Sequence, residues 1–554
     1  MKICIIHSSD EGIEAGEEDP EDVWPEPGLY TNHHTFENRL IVKDRAHAQI
    51  DDAVAGGFDF YINFMWGTHD DAIAGVEAIR YFESLNLPFA GNTSFERSRS
   101  KFDFFADATR VGSPPIPGTD KFPLFVKPAF DFASKLIDGN SLCRDEAELE
   151  ATVQSLGVRL RGARLRRATA LGLSDPDAYV KQCEAAGRSS DDLVVQEFID
   201  GEEYSVVVLK MGEVPVPLTP LWSRPKKKLP GNEQFLTYEL KYDAGSLYEL
   251  LSEEEHPDLY AYLQRVAVEA FWTSQSHLSN MGCEVDFRVD KNGKAYVIEV
   301  DPLPVWFFPP GSRFEDLDVK HDLPGQHRAA LNVFITNYFL QNPDDKRRAK
   351  HARITEFYDT LGPQYEQATS EGSGAVQCAA HIAASFPHDG MVLDLACRTG
   401  VVGRALTSDA GPVQQLIGVD SSTRMLDICR ENGRYAELVH QPIVPYLGRR
   451  EEQVDHIFCL SGLQFLFVEE LDFVLVRCFQ LAKYSITLML DDNPVIHSEA
   501  ATPVQALAVK HEDNIESFAL PRGWCLAHRQ TMTTGPETKI TIFRFERQGK
   551  APGV

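Results

Sequence analysis

With 554 residues the chain is too long for one ordinary domain, and a prior of roughly 150 residues per domain predicts three or four units. A formal net charge of -29 argues against nucleic acid or an anionic membrane surface as a partner, because both need a basic footprint. The 43% share of apolar residues is enough to build hydrophobic cores, and no apolar run approaches the length of a membrane span.

The cysteines and the N-terminus predict a cytoplasmic protein. Ten cysteines are scattered without a CxxC pair, which argues against a structural zinc site or a disulfide framework and indicates a reducing, intracellular setting. The apolar run in MKICIIHSSDE is too short for a signal peptide.

Two buried strands are predicted near the N-terminus, at residues 2–6 and 58–64. A polar turn from His7 to Glu11 follows the first strand, and Trp66 follows the second, before an apolar-periodic helix. In open α/β sheets ligands gather at such strand ends, so both turns are candidates for ligand contacts.

Basic residues recur in the next stretch of the chain. Lys101 lies on a predicted helix before the Pro114-Pro115 break, and Lys127 is near the end of a predicted strand, FPLFVKP. A lone lysine on an exposed helix face is the alternative for Lys101. The Arg-rich run RLRGARLRR, within residues 141–192, indicates an inserted lid segment or simply a solvated helix face.

A second group of elements begins at residue 193. LVVQEFIDGEEYSVVVL at 193–209 predicts strand, turn and strand, with acids at the turn. Arg224 and a lysine run follow, either as exposed charges or as cations for a triphosphate or a carboxylate. The motif TYELKY then contains Lys241, and a helix is predicted at about 257–275.

The most informative stretch is a predicted hairpin, MGCEVDFRVDKNGKAYVIEVDPLP, from Met281 to Pro304. If Asn292-Gly293 is a two-residue turn, Lys291 lies opposite Lys294. In this register two pairs of acids share one face, while the apolar residues between them point to the other face. The pairs are Asp286 with Glu299 and Glu284 with Asp301, and the apolar residues are Val285, Phe287, Ile298 and Val300.

Paired carboxylates repel each other unless a cation lies between them, and clustered oxygen ligands suit Mg²⁺ together with substrate phosphates. The hairpin therefore predicts a magnesium site. A solvated acidic face on an edge hairpin is the alternative.

These motifs, in this order, resemble the ATP-grasp superfamily, in particular its D-alanine:D-alanine ligase branch. The resemblance implies that Lys127 and Lys241 act as catalytic cations on the ATP phosphates and that Asp286, Glu299 and Asp301 hold magnesium. The ATP-binding set that it implies is Lys101, Lys127, Ser134, Glu197, Phe198, Ile199, Glu203 and Lys241.

Several positions depart from that family and predict a different substrate. Glu284 stands where those ligases have an arginine, Trp66 where they often have a histidine, and Val305-Trp306 where they have Gly-Met. Glycines are missing around Ser134 in the phosphate-covering loop, which leaves its geometry open. We therefore expect a retained metal site and a rebuilt acceptor site, with Glu284, Trp66 and Arg224 as candidates for substrate contacts.

Beyond a charged segment that is typical of a linker, at residues 343–353, strands alternate with helices. MVLDLACRTGVVGRAL and LIGVDSSTRMLDICR resemble the nucleotide-binding part of class I S-adenosylmethionine methyltransferases. By that resemblance Asp394, Gly400 and Asp420 contact S-adenosylmethionine. Ala396 and Arg398 replace two glycines of the turn, so we expect weak or absent binding, although the long Arg398 side chain could turn to solvent if its backbone angle is permissible.

Together these features predict a multidomain α/β protein with four segments. They are a pre-ATP-grasp domain at 1–97, an ATP-grasp domain at 98–342, a linker at 343–353, and a Rossmann-like, methyltransferase-like domain at 354–554. The resemblance implies an ATP- and Mg²⁺-dependent ligase that joins an amino-acid-like acid to an amine through an acyl phosphate. It implies neither nucleic acid nor membrane as a partner, and a homodimer is compatible with it.

Two alternatives remain open at this point. In the first alternative the chain is a methyltransferase whose N-terminal half only senses a nucleotide, or a bifunctional ligase and methyltransferase. In the second it is a scaffold with two inactive domains. Product analysis with ATP, S-adenosylmethionine and amino acids separates the three.

Overall fold

The computed structural model divides the chain into two compact units, residues 1–210 with 215–320 and residues 211–214 with 321–554. None of the described helices has the length and hydropathy that a membrane span needs. The residues outside the description are 12–23, 69–72, 131–135, 171–172, 184–192, 226–234, 236–245, 313–314, 369–373, 387, 408–412, 461, 492–503, 505, 534–538 and 550–554.

The finer predicted division, with boundaries at 97, 342 and 353, stays a prediction. The segment 343–353 has the charge density of a linker, yet it is helical from Asp345. The Asp344 carboxylate accepts the Arg347 N–H at 2.6 Å and so caps the first turn of that helix.

The first unit begins with a four-stranded parallel sheet in the order β2-β1-β3-β4. Its strands are β1 (Lys2–Ser8), β2 (Thr35–Ile41), β3 (Phe60–Phe64) and β4 (Phe89–Gly91). Helices Ala46–Ala55 and Val76–Ser84 pack against it through a shared apolar core. The strand predicted at 58–64 is confirmed within two residues at its start.

The first strand is longer than predicted, because His7 and Ser8 continue it instead of forming a turn. Both are buried, and the Ser8 hydroxyl donates to the Ala74 carbonyl at 2.7 Å. Burial lowers the pKa of His7 to about 4, so the imidazole is neutral and can lie in the sheet.

Two antiparallel sheets complete the first unit. One has the order β6-β5-β7, and the other has the order β11-β10-β8-β12-β13 with β9 paired to β8. Helix Pro257–Thr273 packs on the larger sheet through Leu263, Val266 and Phe271. The strands are β5 (Leu124–Pro128), β6 (Leu142–Cys143), β7 (Leu193–Glu197), β8 (Gly201–Met211), β9 (Val214–Pro217), β10 (Leu221–Pro225), β11 (Ser246–Leu250), β12 (Gly282–Asp290) and β13 (Ala295–Asp301).

The Arg-rich run lies within helix Glu146–Ala170. Arg159 pairs with Asp138 at 3.0 Å and Arg161 with Asp177 at 3.5 Å, which favours the helix-face interpretation over a lid. The other α-helices in the described part of this unit are Ser94–Ser98, Lys101–Val111, Pro176–Cys183 and Leu317–His321.

The hairpin of β12 and β13 forms as predicted, and both predicted pairs of acids are confirmed, but two details differ. The closing loop has three residues, 291–293, because the Asp290 N–H donates to the Lys294 carbonyl, so Lys291 does not lie opposite Lys294. A β-bulge at Ile298 then shifts the register by one residue, which restores Asp286 opposite Glu299. As a result Val297, not Ile298, is fully buried.

The second unit is built on a seven-stranded sheet in the order β16-β15-β14-β17-β18-β20-β19. The first five strands are parallel, and β20 pairs antiparallel with both β18 and β19. The chain reverses direction of winding beside β14, and in such sheets ligands bind at the carboxyl ends of the strands near that point. The strands are β14 (Gly390–Leu395), β15 (Val413–Asp420), β16 (Glu437–His440), β17 (Val454–Cys459), β18 (Ala482–Asp491), β19 (Trp524–Thr533) and β20 (Lys539–Arg547).

Helices flank this sheet, and the predicted α/β fold class is confirmed for both units. Asp394 and Asp420 lie at the carboxyl ends of the adjacent strands β14 and β15. Among the residues described in this unit, the α-helices are Gln326–Gln341, Asp345–Ala368, Gly374–Ser385, Val401–Thr407, Thr423–Glu431, Ile443–Leu447, Val468–Leu481 and Glu512–Glu516.

Candidate active site

A cavity of about 90 Å³ in the first unit brings acids of β13 together with cations from the helices Ser94–Ser98 and Lys101–Val111. Lys101, Glu299 and Asp301 line it, as do Glu96 and Arg97. The first three were predicted as site residues, and the last two were not.

The local sequence places Lys101 at the N-terminus of helix Lys101–Val111. Ser100 and Asp103 form a capping box, and Gly112 in the left-handed conformation, at φ 81°, ends the helix. Lys101 is thus the first helical residue, where the helix dipole disfavours a cation. Its Nζ lies 2.8 Å from Oε1 of Glu299, which offsets that cost.

Lys127 lies deeper, on β5, and is 4% exposed. Its Nζ donates to the carbonyl of Ile298 at 2.7 Å, so the β-bulge of the acidic hairpin supplies its partner. Burial lowers the pKa of Lys127 to about 8, although the nearby carboxylates of Glu299 and Asp286 act in the opposite direction. A buried cation thus points at the strand that contains the acids.

Arg97 connects the cavity with the loop after β3. Its Nη2 donates to the Trp66 carbonyl at 2.5 Å, and its Nη1 lies 4.0 Å from Oδ1 of Asp301. Burial raises the pKa of the adjacent Glu96 to about 7, with hydrogen bonds from Thr93 opposing it. The Thr93–Glu96 capping spacing is visible in the sequence, but it gives no sign that Arg97 turns into the cavity.

The predicted magnesium ligands have suitable oxygen donors, and Glu299 and Asp301 share the cavity. Even so, no group of three or more His, Cys, Asp or Glu side chains within the described ranges is placed to hold a metal ion. Burial raises the pKa of Asp301, and the charge of Arg97 opposes this. The carboxylates of β13 are therefore close to the protein's own cations in this structure.

The predicted adenine and ribose contacts meet at one residue that the sequence did not reveal, Arg288. Its Nη1 bonds Glu203, and its Nε donates to the Ile199 carbonyl at 2.7 Å. Its guanidinium also lies 4.8 Å from the centre of the Phe198 ring. Because Arg288 is paired with Glu203 across β12 and β8, strand register is the signal that could have found it.

Glu197 is held beside the same segment. Its N–H donates to the Gly118 carbonyl at 2.6 Å, and a Cβ on Gly118 would lie 2.7 Å from the Glu197 carboxyl carbon. Phe198 packs with Phe125 and Phe235 in an aromatic cluster. The 197–199 segment is thus fixed next to β5.

The remaining predicted residues are more scattered. Arg224 bonds Glu249 and lies 4.0 Å from the Trp222 ring centre, a pairing along the sheet that does not involve the cavity. Glu284 lies opposite Asp301 and is not among the described residues that line the cavity. Trp66 takes part through its backbone carbonyl, and Ser134 and Lys241 lie outside the described residues.

In the second unit, two of the predicted S-adenosylmethionine contacts, Asp394 and Asp420, accept hydrogen bonds from other residues of the protein. Oδ2 of Asp394 accepts the Tyr435 hydroxyl at 2.6 Å, and burial raises the pKa of Asp394 to about 7. The oxygens of Asp420 accept the N–H groups of Ser422 at 2.8 Å and Arg398 at 2.9 Å.

Arg398 does not use the route to solvent that was left open above, because its guanidinium is bonded within the protein. Its backbone is left-handed, at φ 50°, and its guanidinium donates to the hydroxyls of Tyr365 at 2.6 Å and Tyr358 at 2.9 Å. Both tyrosines belong to helix Asp345–Ala368. The arginine therefore ties that helix to the turn.

Gly400 serves the packing of this turn. It has φ 83°, and a Cβ there would lie 2.9 Å from Sγ of Cys429 and 3.0 Å from the Tyr435 ring. A side chain at this position would therefore displace helix Thr423–Glu431, which contains Cys429, or the tyrosine that bonds Asp394.

Comparison with known proteins finds similarity in two different regions of the chain. The chain is 27% identical over 169 residues to a D-alanine–D-alanine ligase A of Mesorhizobium japonicum, which covers 29% of this chain and 44% of that protein. It is 27% identical over 184 residues to a D-alanine–D-alanine ligase of Pediococcus pentosaceus, which covers 33% and 39%. The chain thus spans less than half the length of these relatives.

The C-terminal comparison concerns a shorter region. A family described as a methyltransferase domain matches residues 392–484. Human methyltransferase-like protein 27 is 34% identical over 92 residues, which covers 16% of this chain and 37% of that protein. The chain therefore joins an N-terminal part similar to D-alanine–D-alanine ligases to a C-terminal part with a segment that matches methyltransferase domains.

Proposed function

We propose that the chain is an ADP-forming, ATP-dependent ligase that joins a carboxylic acid to an amine. The observation that carries the proposal is the cavity in which Lys101 contacts Glu299 beside Asp301, with Lys127 bonded to the same strand at Ile298. Cations beside carboxylates are the groups that phosphoryl transfer requires, because catalysis there is mainly positioning and charge neutralisation.

The reaction would proceed in two steps. A carboxylate oxygen of the first substrate attacks the γ-phosphorus of ATP and ADP leaves, which gives an acyl phosphate. The amine of the second substrate then attacks the acyl carbon, loses a proton and displaces inorganic phosphate, which forms the amide. Lys101 and Lys127 would neutralise the charge on the phosphoryl oxygens in the first step.

Asp286, Glu299 and Asp301 would hold Mg²⁺, which supplies further neutralisation of the phosphate oxygens when bound. Ser134 and Lys241 would complete the phosphate contacts, and Glu197 to Ile199 with Glu203 would hold adenosine. Arg288 would fix Glu203 and Ile199 in place, because it bonds both the Glu203 carboxylate and the Ile199 carbonyl.

The substrates would be amino-acid-like, as in the named ligases, but not two D-alanines. A carboxylate at Glu284, opposite Asp301, favours an acceptor that bears positive charge or lacks the carboxylate of D-alanine. Trp66, whose carbonyl is bonded to Arg97 of the cavity, is proposed as a further substrate contact. Arg224 is proposed as a contact outside the cavity, because it is paired there with Glu249.

The test is nucleotide product analysis with a panel of amino acids and amines. The full chain is incubated with ATP and Mg²⁺ together with pairs from the panel, and ADP, AMP and new amides are separated by chromatography. ADP that appears only with an active pair supports the proposal, whereas AMP and pyrophosphate, or no turnover with any pair, would argue against it.

A second candidate function is methyl transfer by the second unit. The match to methyltransferase domains over residues 392–484 favours it. Against it, the oxygens of Asp394 and Asp420 already accept protein hydrogen bonds, and Arg398 replaces a glycine of the turn. We propose that S-adenosylmethionine binding here is weak or absent.

A further inference from the structure

The acids of the cavity are matched by cations of the same chain. Lys101 lies 2.8 Å from Glu299, and Arg97 lies 4.0 Å from Asp301. Lys127 donates to the carbonyl of Ile298, the residue before Glu299, and lies in the field of Glu299 and Asp286. Three cations therefore lie near the carboxylates that the proposed function assigns to the metal, with direct ion pairs at Glu299 and Asp301.

We propose that Lys101 is the internal counterion of the metal site and holds Glu299 until a nucleotide phosphate draws the ammonium away. The inference rests on the proposed function and deepens it, because it couples metal binding to nucleotide binding.

Charge balance gives the first reason. A divalent cation that enters alone meets carboxylates already compensated by Arg97, Lys101 and Lys127, and must displace one of these cations into a cavity with other cations nearby. A phosphate brings the negative charge that the displaced ammonium needs. Metal and nucleotide should therefore favour each other's binding.

The position of Lys101 gives the second reason. It is the first residue of an eleven-residue helix, Lys101–Val111, whose positive end disfavours lysine and favours an anion. The helix end itself is capped by Ser100 and Asp103, and Glu299 pairs with the ammonium of Lys101 beyond it. A phosphate is the natural competitor for that ammonium, and a flexible lysine stem can follow the phosphate without movement of the helix.

The experiment measures Mn²⁺ binding to the full chain by electron paramagnetic resonance without nucleotide. We expect Lys101→Met to bind Mn²⁺ about tenfold more tightly than the unchanged protein at one site. Lys121→Met is the matched control, because it removes the same charge from an exposed lysine outside the cavity. The double variant Lys101→Met with Glu299→Gln should lose the gain, which separates this site from weak binding elsewhere on an acidic protein.

Two results would overturn the proposal: tight nucleotide-free Mn²⁺ binding in the unchanged protein, or no gain in Lys101→Met beyond that in Lys121→Met. Circular dichroism checks that each variant folds, and Lys101→Gln is measured as a second removal of the charge. The readout does not require turnover. A chain without ligase products that still shows the gain would refute the proposed function alone, and a ligase without the gain would refute this inference alone.

Discussion

The buried lysine of β5 predicts a particular pH dependence of nucleotide binding. Burial lowers the pKa of Lys127 to about 8, so its ammonium is lost well before that of an ordinary lysine. A bound phosphate favours the ammonium. Affinity for ADP should therefore fall as the pH rises through about 8.

The magnitude follows from the charged fraction. With a pKa of about 8, the ammonium form of Lys127 makes up about 0.76 of the free protein at about pH 7.5 and about 0.09 at about pH 9. If ADP binds only that form, the Kd should rise about eightfold between the two. The same shift in the pKa of Lys127 should also affect stability. Between about pH 8 and about pH 10.4 the free energy of unfolding should rise with pH, because Lys127 is protonated in the unfolded chain and neutral in the folded one.

Isothermal titration of Mg²⁺ and ADP into the full chain at both pH values measures this effect. At the higher pH the heat should depend on the ionisation enthalpy of the buffer, because binding takes up a proton. Lys127→Met should bind ADP more weakly and show a flat pH response. An unchanged Kd in the unmodified protein, or an equal response in Lys127→Met, would refute the assignment of the titration to Lys127.

Three further predictions concern the acids of the hairpin and the C-terminal turn. Glu299→Gln should reduce Mg²⁺-dependent ADP release to background without a change in circular dichroism, and near-normal release from a folded variant would contradict the metal assignment. Glu284→Arg should not increase the rate with the native substrate pair, and strong D-alanyl-D-alanine synthesis by either form would contradict the proposed acceptor. Calorimetric titration of S-adenosylmethionine into the full chain should give no low-micromolar binding, and such binding, if lost in Asp420→Ala, would make the protein bifunctional.

Strand register was the most predictable part of the site. Alternation of apolar and acidic residues places Glu284 opposite Asp301 and Asp286 opposite Glu299, and the structure has both pairs. The sequence interpretation nevertheless missed a three-residue loop and a bulge, each of which shifts the register by one residue. The shifts cancel at the acids, because burial of Val285 and Val297 fixes which face of the hairpin meets the core.

Long side chains were less predictable, because their partners are distant in sequence. Arg97 reaches the Trp66 carbonyl and Arg398 reaches two tyrosine hydroxyls, and neither contact has a local pattern. Arg288 is an intermediate case, since its partner Glu203 follows from the pairing of β12 with β8. Sequence periodicity fixes strands and faces, whereas the direction of a long polar side chain depends on the assembled cavity.

The most direct test of the proposed reaction follows an oxygen atom. Once product analysis has identified an active pair, the acid is labelled with ¹⁸O in its carboxylate and the inorganic phosphate is analysed by mass spectrometry. An acyl phosphate predicts that one labelled oxygen appears in inorganic phosphate, with ADP as the other product. Label in AMP, or amide formation without label in phosphate, would contradict the account.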